Sequence, residues 1–130
     1  MNPEISAVTL GVRDLNRAKQ FYGEGLGCPI EQDHLGFVSF NLGNGSSRLA
    51  LYTWDALAAD AGVAAEGSGF RGVTLNYIVQ SSERVDEVLT QAKRAGGAIA
   101  KPAQSAQWGG YFGYFTDPDG YLWKVASAAA

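Results

Sequence analysis

The chain is poor in the side chains that disulfides and most metal centres need. Its 130 residues include one cysteine, Cys28, and one histidine, His34. A single cysteine cannot form a disulfide within the chain, so the sequence predicts a reducing compartment, the cytoplasm, and Cys28 is interpreted as a buried, inert thiol. His34 is predicted to lie in a surface turn between two strands, away from any cleft floor.

Charge and long apolar runs are scarce as well. Charged residues make up 18% of the chain, the formal net charge is -3, and no run of basic residues occurs. Nucleic-acid binding depends on lysine and arginine neutralising phosphates, so no nucleic-acid partner is expected. A helix that spans a membrane needs about 18 or more consecutive apolar residues. No such run exists, and no membrane partner is expected.

The chain contains an internal repeat. Residues 37–45 read FVSFNLGNG and residues 112–120 read FGYFTDPDG, and an offset of 75 aligns their aromatic residues and final glycines. Both segments predict an aromatic strand that runs into an Asn-Gly or Asp-Gly turn, a strong hairpin signal. Upstream, Val8-Thr9-Leu10 recurs as Val73-Thr74-Leu75. Two copies with so long a period predict a duplicated half-domain, because stacked repeat arrays need three or more units.

Each half of the chain predicts the order β-α-β-β-β within a single domain, 1–130. The elements predicted for module one (about 4–54) are a strand from Ile5 to Val12, a helix capped by Asp14 and ended by Gly23, and strands at Cys28 to Gln32, Phe37 to Leu42 and Arg48 to Trp54. Those predicted for module two (about 71–127) are a strand from Gly72 to Val79, a helix from about Ser82 to Ala95, and strands near Ala98 to Lys101, Gly110 to Thr116 and Tyr121 to Ala126. Residues 55–70, rich in alanine and glycine, are predicted to form a loose helical turn and a connector.

Side-chain alternation predicts which face of each sheet its helix covers, because the covered face is the more apolar one. The residues predicted to face the helices are Val8, Leu10, Leu49, Leu51, Val73, Leu75, Tyr77, Val79, Trp123 and Val125. The residues predicted to line an open cleft are Ala7, Thr9, Ala50, Tyr52, Thr74, Asn76, Ile78, Leu122 and Lys124. Asp117 and Asp119, two carboxylates two positions apart, are interpreted with Gly120 as turn residues.

Two motifs extend the interpretation to a family. VRDLNRAKQFYGEGLG after the first strand and WGGYFGYFTDPDGYLWKVA near the end resemble the vicinal oxygen chelate superfamily, which includes glyoxalase I, extradiol dioxygenases and the bleomycin and mitomycin binding proteins. The resemblance implies an α+β fold in which two βαβββ modules form an open cleft, in a homodimer. In glyoxalase I, four cleft-facing positions hold histidine and glutamate around a divalent metal. The residues at these positions here are Ala7, Ala50, Thr74 and Lys124, none of which is a metal ligand. No metal and no cofactor are therefore expected.

The remaining cleft residues suggest a small-molecule ligand. Lys124 either pairs with an anionic ligand or lays its stem along the sheet with its ammonium in water. By resemblance to the drug-binding members, Trp108 is either a platform that stacks on a flat ligand or a contact with a partner subunit. The other candidate ligand contacts are Tyr52 and Trp54 on an opposite wall, Phe112 and Tyr114 on one strand face, and Thr74 and Asn76.

Three functions remain open at this point. The first is a metal-free binding protein for a flat or anionic small molecule. The second is a glyoxalase-like lyase or isomerase in which Lys124, with Tyr52 or Tyr114 as proton donor, replaces the metal. The third is a structural dimer whose cleft is filled by its own side chains.

Overall fold

Two compact units make up the chain, Met1–Gly67 and Ser68–Ala130. A computed structural model describes residues 5–61, 63–67, 70–71, 73–107 and 109–128. Each unit contains one four-stranded mixed sheet, as the repeat predicts. Within the described residues, no helix is long and apolar enough to cross a bilayer.

The first unit has the predicted order β-α-β-β-β, with one additional helix at its end. Its elements are β1 (Ala7–Val12), α1 (Leu15–Lys19), a π-helical continuation (Gln20–Gly25), β2 (Ile30–His34), β3 (Phe37–Phe40), β4 (Arg48–Thr53) and α2 (Trp54–Ala61). The strand order across the sheet is β1-β4-β3-β2. β1 pairs with β4 in parallel, and the other two pairs are antiparallel.

The first helix forms where the sequence predicts it and covers one face of its sheet. The Asp14 side chain accepts a hydrogen bond from the backbone N–H of Arg17 at 3.0 Å, which caps α1. Phe21 and Tyr22 are almost fully buried, and the Tyr22 ring lies 6.1 Å from that of Phe40 on β3. Burial of aromatic rings on this scale is the main source of stability for so small a core.

The second unit repeats the arrangement. Its elements are β5 (Thr74–Val79), α3 (Ser82–Arg94), β6 (Ala98–Ser105), β7 (Tyr111–Thr116) and β8 (Leu122–Ser127). The strand order is β5-β8-β7-β6, with β5 and β8 parallel and the other pairs antiparallel. The predicted helix and strands are therefore confirmed, with bounds that shift by one or two residues except at the end of β6.

Helix α3 sits close against its sheet. Ser81 caps the helix by accepting a hydrogen bond from the Arg84 N–H, and its buried side chains are Val85, Val88, Leu89 and Ala92. Gly113 on β7 allows the close approach, because a Cβ there would lie 2.7 Å from Leu89 Cδ1. The face of the second sheet that carries Gly113 is thus the helix-covered face.

Three details differ from the sequence prediction. Residues 54–61 form the two-turn helix α2, which is longer and more regular than the loose helical turn predicted, and α2 packs against β1: a Cβ on Gly11 would lie 3.4 Å from Leu57 Cδ2. Val73 precedes β5 and is 62% exposed, so it does not face a helix. His34 is the last residue of β2 and pairs with Phe37, so the turn consists of the two residues after it.

The two repeated turns have different geometries. Asn44 and Gly45 both have positive φ (52° and 74°), whereas in the second turn only Gly120 does (86°). Asp117 is 3% exposed, and its Oδ1 accepts hydrogen bonds from the backbone N–H groups of Asp119 and Tyr121, both at 2.9 Å. These bonds hold the β7–β8 turn together and confirm that Asp117 is a turn residue.

Asp117→Ala is expected to lower the free energy of unfolding by about 2 kcal/mol, because two backbone donors lose their acceptor. Asp117→Asn retains one acceptor oxygen at this position and is expected to cost clearly less. Urea denaturation of both variants and the wild type measures the difference. Equal losses in the two variants would contradict this role for the Oδ1 atom.

Candidate functional site

The face of the second sheet that lies opposite α3 carries most of the predicted site residues. Strand pairing aligns four of them in one row across the sheet, because paired residues share a face. The row, here called the Lys124 row, consists of Asn76 on β5, Lys124 on β8, Tyr114 on β7 and Lys101 on β6. The two ends of the row, Asn76 and Lys101, are exposed, and the two central residues are half-buried.

The Phe112 ring lies near both lysines of this row. Its ring centroid lies 4.9 Å from Lys124 Nζ and 5.0 Å from Lys101 Nζ. The negative face of an aromatic ring attracts an ammonium group at such distances. Phe112 also makes an edge-to-face contact with Tyr114, with centroids 6.2 Å apart. Its ring is therefore engaged with neighbours on this face.

Sequence reasoning did not identify Lys101 as a site residue. The predicted strand ended at Lys101, whereas β6 continues to Ser105 through Pro102 and two register shifts. An irregular strand of this kind has no regular alternation, so the face of Lys101 could not be derived by counting. The face of Lys101 is given by the strand pairing in the structure, in which Lys101 lies opposite Tyr114 despite the register shifts.

Thr74 lies on the same face, one row further along. It pairs with Leu122 and is half-buried. Thr74 and Lys124, two of the four positions that the family resemblance singles out, therefore share a face of the second sheet.

The first sheet has the equivalent row, with different chemistry. Its members in the corresponding strand positions are Thr9 on β1, Ala50 on β4, Ser39 on β3 and Gln32 on β2. None of these side chains is charged. Ala50 and Ser39 are each 4% exposed, and Ser39 Oγ has no hydrogen-bond partner among the residues that the structure describes.

Tyr52 lies in the next row of the first sheet. It pairs with Gly11 and with Phe37, and its ring meets that of Phe37 edge to face at 5.9 Å. His34, through its pairing with Phe37, is on this same face and is exposed. The histidine is thus nearer to the predicted ligand face than the sequence indicated.

Trp54 has contacts that give it a packing role. Its Nε1 donates a hydrogen bond to the Ala65 carbonyl at 2.6 Å, and the Arg13 guanidinium lies 4.2 Å from the ring centroid. These contacts fix the segment after α2 against the first unit. A ligand contact by Trp54 stays a prediction. Trp108 lies outside the described residues, so its predicted role as a stacking platform also stays a prediction.

Raised pKa values occur at Cys28, Tyr111 and Arg84. Cys28 is half-buried, not fully buried as predicted, and this partial burial raises the pKa of its thiol, which favours the protonated form. On the α3 side of the second sheet, a hydrogen bond to Asp86 raises the pKa of Tyr111, and a hydrogen bond to Glu87 raises that of Arg84.

The residues that the family resemblance assigns to the metal positions are poor metal ligands. Ala7 and Ala50 offer methyl groups, Thr74 a weak hydroxyl ligand, and Lys124 an ammonium that repels cations. In the described parts of the chain, no three histidine, cysteine, aspartate or glutamate side chains come together in a way that could hold a metal ion. No step through a metal can be built from these residues.

The fold and the motifs together define a family. Two βαβββ sheets of this topology carry the first-strand and last-strand motifs in the expected places. The profile of the Glyoxalase/Bleomycin resistance protein/Dioxygenase superfamily matches residues 4–125. The chain belongs to this superfamily.

Solved structures agree with this assignment. A glyoxalase-related enzyme from Fulvimarina pelagi is 30% identical, with 95% of this chain and 87% of that one covered and a TM-score of 0.84. A glyoxalase/bleomycin resistance protein/dioxygenase from Nocardioides is 24% identical, over 99% of this chain and 85% of that one, with a TM-score of 0.82. A lactoylglutathione lyase from Agrobacterium tumefaciens is 22% identical, over 97% and 94%, with a TM-score of 0.72. The last two show similarity of fold alone. No curated protein matches the sequence.

Ser39→Ala is expected to leave the free energy of unfolding unchanged or to raise it by about 1 kcal/mol, because it removes a buried hydroxyl that lacks a partner. Ser81→Ala is the matched control. Its hydroxyl caps α3, so the same substitution should cost about 1 kcal/mol there. Urea denaturation compares the two. A loss at Ser39 as large as that at Ser81 would show that the Ser39 hydroxyl has a structural partner.

Proposed function

We propose that this protein binds a flat or anionic small molecule without a metal, in the manner of the bleomycin and mitomycin binding members of its superfamily. The observation that carries the proposal is the position of Lys124. An ammonium group stands at one of the positions that the resemblance assigns to the histidine and glutamate ligands of the metal-dependent relatives, and it lies beside Phe112 and Tyr114. A positive charge there favours an anionic group in the place that a cation occupies in those relatives.

The surroundings of Lys124 support a ligand with an apolar body. Phe112 and Tyr114 give aromatic surface on one side of the lysine, and Leu122 gives aliphatic surface on the same strand face. A few polar groups set in an apolar surface are typical of small-molecule sites. Trp108 remains the proposed contact for the flat part of the ligand, and Tyr52 and Trp54 remain candidate ligand contacts of the first unit.

A second function is favoured by one specific observation. Tyr114 and Lys124 are direct cross-strand partners, so a phenol and an amine are neighbours on one face of the sheet. Such a pair can supply a proton donor and a base to a substrate within hydrogen-bond reach. A glyoxalase-like lyase or isomerase that relies on this pair, with Tyr52 as an alternative donor, is therefore the alternative proposal.

We further propose a cytoplasmic homodimer. The strand β5 lies at one edge of the second sheet, and apolar side chains along it are exposed: Ile78 is 68% exposed, Tyr77 43%, and Val73, just before the strand, 62%. Exposed apolar surface beside an unpaired strand edge favours an interface between subunits.

Dialysed protein is expected to contain no stoichiometric zinc, nickel, iron or manganese by elemental mass spectrometry. The reason is the donor set of Ala7, Ala50, Thr74 and Lys124, which offers no imidazole, thiolate or carboxylate. Protein expressed with each metal added in turn is the control for loss during purification. One tightly bound equivalent per chain would overturn the metal-free part of the proposal.

Titration with aromatic carboxylates, benzoate and 2-naphthoate, is expected to quench tryptophan fluorescence. Lys124→Gln should weaken binding by about fivefold, the value of one charge contact in water. Lys93→Gln is the matched control, because this substitution removes the same charge from the last turn of α3. Trp108→Ala should abolish the quenching. A Lys124 variant that binds as well as the wild type would contradict the proposal.

A further inference from the structure

We infer that the ligand of this site carries two negative charges, which Lys101 and Lys124 neutralise together. This inference rests on the proposed function, since it specifies the charge of the ligand that Lys124 binds. Its chemical class is a small molecule with a doubly charged head, either a phosphate monoester or a dicarboxylate.

The first step is the distance between the two ammonium groups. Each Nζ lies within 5.0 Å of the same ring centroid, that of Phe112, so the two charges are separated by no more than about 10 Å. That distance is close to the screening length in physiological salt, within which charges act together. Lysine stems are flexible, so both groups can reach a single oxyanion head.

The second step is the composition of the face around them. The residues that share this face in the paired strands are Thr74, Asn76, Ile78, Ala98, Lys101, Gln104, Phe112, Tyr114, Thr116, Leu122, Lys124 and Ala126. The list includes two lysines and no carboxylate. In a chain with a net charge of -3, this described face is a local concentration of positive charge, and such a concentration attracts anions.

The third step is the supply of hydrogen-bond donors. Besides the two ammonium groups, the Lys124 row contains the amide of Asn76 and the hydroxyl of Tyr114. A phosphate monoester has three terminal oxygens and a dicarboxylate has four, and charged acceptors of this kind form the stronger hydrogen bonds. A single carboxylate has two oxygens and one charge, and would leave one of the two lysines without a counterion from the ligand.

The repeat gives an internal comparison. The residue that corresponds to Lys101 in the first sheet is Gln32, and the residue that corresponds to Lys124 is Ala50. In the first sheet, the fold therefore forms the same row with neutral side chains. The two lysines are a property of this face of the second sheet and are not required by the architecture.

Phe112 acts here as a positioning residue. Its ring contacts both ammonium groups, which draws the ends of two flexible side chains from β6 and β8 to one place. The predicted direct contact of Phe112 with the ligand is not needed for this arrangement.

The test compares three flat probes that differ in charge. Benzoate carries one negative charge, and phthalate and phenyl phosphate carry two at pH 8, since the second phosphate ionisation lies near pH 6. Isothermal titration calorimetry at low salt is expected to show about fivefold tighter binding of at least one dianion than of benzoate. Tight binding of phenyl phosphate alone identifies a phosphate monoester site, and tight binding of phthalate alone identifies a dicarboxylate site.

Variants test whether the preference for a dianion over benzoate depends on the second lysine, Lys101. Lys101→Gln should remove the preference for the dianion by weakening phthalate and phenyl phosphate more than benzoate, whereas Lys124→Gln should weaken all three probes. Lys93→Gln, on α3, controls for the loss of one charge at a distance. Raising sodium chloride to about 0.3 M should reduce the preference, because salt screens exposed charges. Circular dichroism melting curves establish that each variant is folded.

The two proposals fail in different ways. If benzoate binds as tightly as both dianions, or if Lys101→Gln leaves the preference intact, the inference about the double charge is overturned while the proposed function stands. If Lys101→Gln weakens all three probes equally, Lys101 is a general anion contact and the inference is likewise overturned. If none of the probes binds, both proposals are overturned.

Discussion

The packing of α3 on the second sheet is the constraint on which the candidate site depends. Leu89 fits over Gly113, and Phe115 and Val125 are buried on the same side. Side chains alternate along a strand, so the burial of one face fixes the other. If β8 were displaced by one residue, Val125 would replace Lys124 on the open face. The apolar core on one face of the sheet therefore sets the position of the charged row on the other face.

Duplication of the fold did not bring duplication of the chemistry. The two sheets share strand order and pairing, and the row that contains Ala50 matches the row that contains Lys124. The first row is small, neutral and largely buried at its centre, and the second is cationic and partly exposed. A fold shared by two modules defines positions, whereas the residues at those positions define what each sheet can bind.

Much of this arrangement could be predicted from the sequence because it depends on short-range patterns. The cap at Asp14 marked the start of the first helix, and the turn at Asp117 marked the hairpin that carries Lys124. Lys101 could not be assigned a face, because register shifts in β6 depend on pairing with a distant strand. The length and packing of helix α2 were not predicted for a related reason: its place against Gly11 is a tertiary contact, and an alanine-rich segment gives little periodic signal.

The irregularity of β6 also makes the two edges of the second sheet unequal. Pro102 lies within β6, where it removes a backbone donor, and the shifts in register on either side of Lys101 interrupt the regular ladder. β5, at the opposite edge, contains no proline and no charged residue. A foreign strand would find a continuous template at β5 and a broken one at β6. Growth of the sheet by strand addition is therefore directional, and the β5 edge, which the proposed homodimer would cover, is the edge that supports it.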